Sequence, residues 1–433
     1  MTHTLLRGNK RNGIFIIALF FHINTFAQFE LLDKIDSTVN ATYDVYKNPN
    51  YLKPIIGLRN IESIFEKADS DSKSFFYQYL AFHHSFIANY DSARIYFDKA
   101  LMTDLGQRKY MKLKPLNFSH FQAKSAKEYI LERAKNERVI MLNEAHQIGQ
   151  HRAFATSLLP GLYKLGFRHL LVETLAYRDS LLNDRGYPVM VSGYYSVEPA
   201  FGNFIRQAIK LGFKVLPYEA NKRGLSRAKQ QAMNIQQVLQ QNPKSKILVY
   251  AGIQNLEEKH KGKWVKMGEE FKNISGINPF TIDQSEMTER SNAQYEHPYY
   301  QQVLKKGWLK EEPIILRYQN KPWVADTGNL FVNYVDVQVF HPRTQLKNRR
   351  PSWLTRGGKR HFYKISPKKW SINRECLVQA FAINDGKDAV PYDQIHITIF
   401  DKPSFLVLPK GKFIIKALDE NKKILKTEKV RIK

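Results

Sequence analysis

Short apolar runs alternate with helical stretches through the middle of the chain, and this alternation limits the possible folds most strongly. Apolar runs typical of buried strands end in Gly or polar residues, and amphipathic stretches closed by Gly166, Gly212 and Asn242-Pro243 separate several of them. Strands that alternate with helices predict an α/β fold, with a parallel sheet covered by helices on both faces. The runs lie at residues 138–142, 169–173, 213–219, 246–252, 279–283 and 313–318.

The region before this alternation, residues 28–120, is predicted to be helical, because apolar and aromatic residues recur there at spacings of three and four. Residues 79–101 resemble one tetratricopeptide-like helical hairpin. A solenoid needs about three such repeats. We therefore favour a hairpin that caps the next domain over a peptide-binding array.

The pattern changes again after residue 328. Short strands at 334–340, 376–383, 394–400 and 411–418 follow one another with turn signals and no helix between them. They predict a small antiparallel β domain, a sandwich, over residues 329–433. The α/β domain is then expected to span residues 121–328.

The N-terminus indicates export. Residues 1–27 combine basic residues, a short apolar run and small residues before Gln28, as in a secretory signal peptide cleaved near Ala27. The expected location is periplasmic or secreted, with an uncleaved membrane anchor as the alternative. Cys376 is the only cysteine, which excludes an intramolecular disulfide and a Cys-based zinc site.

The chain is strongly basic, with 67 Lys and Arg against 40 Asp and Glu. This charge favours anionic partners, and export makes nucleic acid an unexpected one. Residues 343–374 contain no acidic residue and mix cations with aromatic side chains, which predicts contact with an anionic glycan or a membrane surface. The alternative is a solvated loop. The segment carries Arg349, Arg350, Arg356, Lys359, Arg360, Lys368 and Lys369, with Trp353, Phe362, Tyr363 and Trp370 between them.

Polar side chains follow the predicted parallel strands at the point where each strand ends. Glu144 and His146 follow the first strand, Glu173 the second, Glu219 the third, and Asn255 the fourth. Ligands of parallel α/β folds bind at the carboxyl ends of the strands, so these side chains predict a site. For any single Glu, the alternative is a charge that stabilises the first turn of the next helix.

Carboxylates and an imidazole support two chemistries. They can relay protons, with Glu144, His146, Glu173 and Glu219 as the catalytic set. They can also bind a divalent metal, with Glu144, His146 and Glu219 as tentative ligands. Motifs for a phosphate loop, a serine-nucleophile elbow and a His-Glu-x-x-His zinc site are absent from the sequence. Candidate substrate contacts are His151, Arg152, Tyr194, Arg227 and Asn255.

Some of these contacts have a plain structural alternative. Arg227, Gln231 and Asn234 fit a polar helix face at least as well as a site rim, and Tyr194 and Tyr195 can either cover the cleft or simply pack on the sheet.

The motifs NEAHQIGQHRAF, GFRHLLVET, IKLGFKVLPYEA and VYAG, with the Gly-Tyr-Tyr at 193–195, resemble the ChaN/Tiki superfamily over roughly residues 125–320. That group includes haem-uptake ChaN-like proteins, TraB-like proteins, Tiki-type metalloproteases and, more distantly, erythromycin-esterase-type hydrolases. The resemblance implies that Glu144 and His146 form its first motif, with Glu173 and Glu219 as strand-end acids. Gly252 would begin its second motif, Gly-x-x-His.

This chain departs from that pattern twice. Asn143 stands where the first motif has Gly, and Asn255 stands where the second has His. Asn cannot exchange protons near neutral pH. Three functions therefore stay open: an exported hydrolase of a small-molecule or peptide ester or amide, with or without a metal; a protein binding haem or another ligand; and a degenerate interaction scaffold.

Overall fold

The computed structural model describes residues 26–42, 50–104, 113–221, 224–260, 264–325 and 334–433. Residues 1–25 of the expected signal peptide lie outside them. None of the helices in the described ranges has both the length and the apolar character needed to span a bilayer.

The described helices and strands are numbered along the chain. The helices are α1 (Phe26–Thr42), α2 (Lys53–Phe65), α3 (Ser70–Phe86), α4 (Tyr90–Asp104), α5 (Ala126–Ala134), α6 (Gly149–Lys164), α7 (Leu182–Arg185), α8 (Pro199–Leu211), α9 (Arg227–Gln241), α10 (Met267–Ser275) and α11 (Pro298–Lys305). The strands are β1 (Phe121–Ser125), β2 (Val139–Glu144), β3 (Phe167–Val172), β4 (Lys214–Pro217), β5 (Lys246–Gly252), β6 (Phe280–Asp283), β7 (Ile314–Tyr318), β8 (Lys321–Pro322), β9 (Val337–Gln338), β10 (Leu346–Lys347), β11 (Arg350–Pro351), β12 (Arg360–Ile365), β13 (Cys376–Ala382), β14 (Asp393–Ile397), β15 (Ser404–Pro409), β16 (Gly411–Leu418) and β17 (Ile424–Ile432).

The centre of the fold is a parallel sheet with the strand order β4-β3-β5-β2-β6-β9. Every residue of β2 is buried, because helices cover both faces. One face of β2, including Ile140 and Leu142, shares a core with α6 and α8. The other face, including Val139 and Met141, packs on α9 and α10. The predicted α/β fold is confirmed.

The helical region packs directly on the α/β domain. Asp69 caps α3 by accepting a hydrogen bond from the Ser72 backbone N–H at 2.9 Å. Phe76 and Phe86 of α3 are fully buried in the same core as Leu142 of the central sheet. The α3–α4 hairpin therefore lies against the sheet domain, as a cap would.

Two predicted strands lie elsewhere than expected. Residues 313–318 form β7, which pairs antiparallel with β1 in a separate sheet of order β1-β7-β8. Residues 334–340 supply β9, which extends the parallel sheet beside β6 instead of joining the β domain. An apolar run indicates that a strand is buried but not which strand lies next to it. The hydrophobic pattern therefore could not predict how these two strands pair.

The C-terminal part is an antiparallel β domain, as predicted. A four-stranded sheet of order β14-β13-β16-β17 faces the pair β12-β15. Cys376, Val378 and Leu406 belong to the core between them. The sequence analysis did not predict β12 and β17, because β17 carries charged residues and β12 lies inside the basic segment. It also missed β15, although the apolar run at residues 405–408 was visible.

The basic segment 343–374 is largely folded and not a solvated loop. Arg350 is buried and pairs with Asp393, with 2.5 Å between its Nη2 and Oδ1. Arg360 is buried and donates to the backbone oxygen atoms of Val407 and Tyr392. Other cations of the segment remain exposed, among them Arg349, Lys359, Lys368 and Lys369.

Candidate functional site

The strand register brings the predicted polar residues to one edge of the sheet. Glu144 at the end of β2 is level with Gly252 at the end of the adjacent β5. Glu173 follows β3 on the other side of β5, and its backbone N–H donates to the Tyr250 carbonyl oxygen at 3.1 Å. The side chains at this carboxyl edge form two linked clusters, one around Glu144 and one around Glu173.

Glu144 is held by an arginine inside the protein. Its two carboxylate oxygens accept from Arg152 Nε at 2.7 Å and Nη2 at 2.8 Å, and Oε2 also accepts from the Tyr250 hydroxyl at 2.8 Å. Burial alone would raise the pKa of this carboxyl, but the guanidinium and the hydrogen bonds lower it to about 2. Arg152 also binds Glu198, at 2.9 Å between Nη1 and Oε2. Glu144 is therefore ionised at neutral pH.

His146 is oriented by Glu144. Its Nδ1 lies 2.9 Å from Glu144 Oε1, and its ring stacks on Tyr195 with 3.8 Å between ring centroids. An ionised carboxylate can only accept a hydrogen bond, so Nδ1 must carry the proton. In the neutral ring the lone pair then lies on Nε2. This nitrogen is buried and has no hydrogen-bond partner within the described residues.

The second cluster is an arginine between two glutamates. Arg227 at the start of α9 pairs with Glu173, with 2.5 Å between Nη2 and Oε1, and with Glu219, with 2.6 Å between Nη2 and Oε2. Asn255 Nδ2 also donates to Glu173 at 2.8 Å. Although burial opposes it, Arg227 holds the pKa of Glu173 below its usual range. Glu219 additionally accepts from Gln231 at 3.1 Å.

Gly252 separates the two clusters at a point of close approach. A Cβ atom on this residue would lie 2.9 Å from His146 Nε2 and 3.1 Å from Glu173 Oε2. Its backbone N–H donates to Glu173 Oε2. The absence of a side chain at Gly252 is what lets His146 and Glu173 come to the same place.

Aromatic side chains from α3 and the loop before α8 cover His146. Phe82 lies edge-on to the rings of His146 and Tyr195, with centroid distances of 6.4 Å and 5.3 Å. Tyr194 packs against Phe82 and Phe86, and its buried hydroxyl has no hydrogen-bond partner in the described part of the chain. The α3–α4 hairpin thus covers His146.

The other residues considered as substrate contacts pack against or hydrogen-bond with their own protein neighbours. His151 is fully buried; its Nδ1 accepts from the Ala145 N–H at 3.1 Å, and its ring lies 5.1 Å from that of His341. Asn234 donates to the backbone oxygen atoms of Tyr218 and Glu219. His260, five residues after Asn255, pairs with Glu269, with 2.7 Å between Nδ1 and Oε2.

The tentative metal set is not assembled. Among the described residues, no group of three or more His, Cys, Asp and Glu side chains is placed to hold a metal ion. Glu144 and Glu219 each bind an arginine instead. A carboxylate whose oxygens already accept guanidinium N–H groups has little capacity left for a cation.

A narrow crevice lies beside the site on the same edge of the sheet, and it is too small to hold a water molecule. Ala145, which precedes His146, and Ile253, which follows Gly252, form one wall, while α4 and the segment after β6 supply the rest. The lining residues are Phe97, Leu101, Ala145, Ile253, Ser285 and Arg290.

Sequence reasoning missed two residues that hold the site. Tyr250 appears inside an apolar strand run, and only the structure shows its hydroxyl on Glu144. Glu198 caps α8 by accepting from the Phe201 N–H at 2.7 Å while it binds Arg152. Pro199 at the first position of that helix was a signal for a helix start, but the sequence did not indicate that Glu198 caps it.

Comparison with known proteins assigns no family to this chain. No family model matches it, and no curated protein matches it. One solved structure, described as the type III effector HopBA1, shares 12% identity over 44% of this chain and 96% of that chain, with a TM-score of 0.27. A likeness this low carries no argument about fold or function.

Proposed function

We propose that the carboxyl edge of the parallel sheet is a hydrolytic centre that cleaves an ester or amide, with His146 as the general base. The observation that supports it most is the state of the imidazole. Nδ1 is fixed on Glu144, and Nε2 is buried without a partner in the described structure. A buried polar atom left unpaired costs about 1–3 kcal/mol, so Nε2 has a strong preference for a proton donor such as water or a substrate hydroxyl.

Each neighbour of His146 has a distinct part in this proposal. Glu144 sets the tautomer and stabilises the imidazolium that forms when Nε2 takes a proton from water. Arg152 keeps Glu144 ionised and fixed, so it acts as a positioning residue. Tyr194 has a buried hydroxyl without a described partner, and burial raises the pKa of this group, so it stays a neutral donor. It is our candidate for a hydrogen bond to the developing oxyanion.

Glu173, Glu219 and Arg227 form the other wall. Arg227 is about one-third exposed at its side chain and joins both carboxylates. We assign this triad the role of shaping the site next to Gly252, with Asn255 donating to Glu173 where the resembled superfamily has a His. Asn255 leaves this member without a second titrating imidazole at that position, and His146 alone would carry the proton transfer.

The resemblance to the ChaN/Tiki superfamily is compatible with this proposal and remains part of it. The signal peptide predicted at residues 1–27 would place the activity in the periplasm or outside the cell. The proposed substrate is a small molecule or a peptide, and it would reach His146 only after the crevice beside Ala145 and Ile253 widens. Haem or other ligand binding stays a prediction from the sequence.

One observation favours a second candidate, an interaction scaffold without catalysis. Three strand-end glutamates already bind arginines, and aromatic residues of α3 and the loop before α8 cover His146. A site of this kind gains stability from its ion pairs without needing to open. The two candidate functions differ in whether His146 Nε2 accepts a proton during a reaction.

A substrate panel separates them. The purified chain without residues 1–27 is tested on aryl esters, lactones, amides and peptides, beside His146→Asn and the exposed control Lys127→Gln. We expect hydrolysis of at least one class, unchanged in the control and reduced about 10²- to 10⁴-fold in His146→Asn, the range for loss of a general base. Equal rates in His146→Asn and wild type would refute His146 as the general base, and no turnover of any class would support the scaffold.

A further inference from the structure

The outer face of the C-terminal sheet carries a cluster of cations. In β16 the side chains of Lys412, Ile414 and Lys416 alternate with the buried Phe413 and Ile415, so they share the opposite face. The register pairs Lys412 with Arg431 of β17, and Ile414 with Lys429. Four cationic side chains therefore lie on one face of two adjacent strands.

Apolar side chains lie between these cations. Phe381 of β13 is level with Ile414, and the Lys416 ammonium lies 5.5 Å from the centroid of the Phe381 ring. Ile383, just after β13, is 39% exposed, and its backbone N–H donates to the Lys412 carbonyl oxygen. We call this surface the basic sheet face, defined by Phe381, Ile383, Lys412, Ile414, Lys416, Lys429 and Arg431.

The cations of the basic sheet face are not neutralised by the protein. None of the four forms an ion pair with a carboxylate in the described residues. Like charges placed directly opposite across a strand pair, as Lys412 and Arg431 are, destabilise the sheet. Lysines on an edge strand prevent unwanted strand pairing, but that explains only β17. Lys412 and Lys416 lie on β16, which has a strand on each side.

We propose that the basic sheet face docks this protein on an anionic lipid membrane. Charge complementarity supplies the attraction, because lysines and arginines gather near anionic headgroups. The partly exposed Phe381, Ile383 and Ile414 distinguish a membrane from a polar polyanion, since apolar side chains gain from burial at the boundary between headgroups and acyl chains. This surface differs from residues 343–374, in which Arg350 and Arg360 are buried.

Vesicle co-sedimentation of the chain without residues 1–27 tests the proposal. We expect binding to phosphatidylcholine vesicles that contain phosphatidylglycerol, weakened by salt, and little binding to phosphatidylcholine alone. The variant K412Q/K429Q/R431Q should lower the partition coefficient on the order of a hundredfold. The control K127Q/K305Q/K310Q removes the same charge from exposed lysines outside the face and should change it far less.

A second variant separates lipid from glycan. Ile414→Ser keeps every charge of the face, so it should weaken vesicle binding several-fold while retention on heparin stays unchanged. Thermal unfolding confirms that each variant is folded. Two results would overturn the proposal: equal vesicle binding by K412Q/K429Q/R431Q and the control, or a face that determines heparin retention while Ile414→Ser leaves vesicle binding intact. The second would assign the face to a polyanionic glycan.

Discussion

Replacing Arg152 by Met tests whether the site is built around one buried cation. Arg152 has no exposed surface, and it bridges Glu144 and Glu198, which are 1% and 0% exposed. Methionine fills similar space but leaves both carboxylates without their counter-ion. Breaking a buried pair in this way costs about 3–5 kcal/mol, because an uncompensated charge stays in the protein. We therefore expect the free energy of unfolding to fall by that amount.

Urea unfolding followed by circular dichroism measures this loss, with Arg59→Met as the matched control. Arg59 pairs with Glu375 on the surface at 3.3 Å, with 38% of its side chain exposed, and such a pair contributes below about 1 kcal/mol. Adding Glu144→Gln to Arg152→Met should recover part of the loss, since one unpaired charge is removed. If Arg152→Met costs no more than Arg59→Met, the buried-cation account is wrong.

Three further predictions concern acid, packing and metal. Burial lowers the pKa of His83, His84, His297 and His341 to about 3, so stability is full above the unfolded value of 6.5 and falls below it. Protonating these buried side chains favours the unfolded state, so urea midpoints should drop between pH 6.5 and pH 5; a flat profile would contradict their burial in the neutral form. Gly252→Ala places a Cβ 2.9 Å from His146 Nε2, and we expect a loss of about 1–3 kcal/mol in urea unfolding together with reduced hydrolysis. In the control Gly307→Ala the φ of +76° strains the backbone, so stability should fall as well, but hydrolysis should stay unchanged. Mass spectrometry of the purified protein and His146→Ala should show the same divalent-metal content; a stoichiometric metal lost only in the variant would restore the metal hypothesis.

The sequence pattern predicted the strand ends well because their burial has a simple origin. Parallel strands covered on both faces must be apolar along their length, so the first charged residues, Glu144 and Glu173, mark the edge where a site can lie. The order of the strands in the sheets could not be predicted in the same way. Nothing in the runs at 313–318 or 334–340 shows that one pairs with β1 and the other with β6.

The ion-pair and hydrogen-bond partners of the site residues could not be predicted from the sequence, for a related reason. Arg152 is eight residues from Glu144, and a helix start can point a side chain either to the sheet or to solvent. The structure points it inward, where it neutralises both Glu144 and Glu198. In this pairing Glu144 accepts hydrogen bonds from Arg152 and lies 2.9 Å from His146 Nδ1. Long-range contacts of that kind depend on packing and not on spacing.

The tautomer of His146 is the most direct test of the account. Long-range ¹H–¹⁵N correlation spectra of protein labelled at the histidine ring nitrogens, recorded at pH 7.5, report which nitrogen carries the proton, and His146→Asn assigns the signal. We predict a proton on Nδ1, directed to Glu144, and an unprotonated Nε2 beside Gly252. A proton on Nε2, with Nδ1 bare, would mean that Glu144 does not orient the ring and that the proposed general base does not exist.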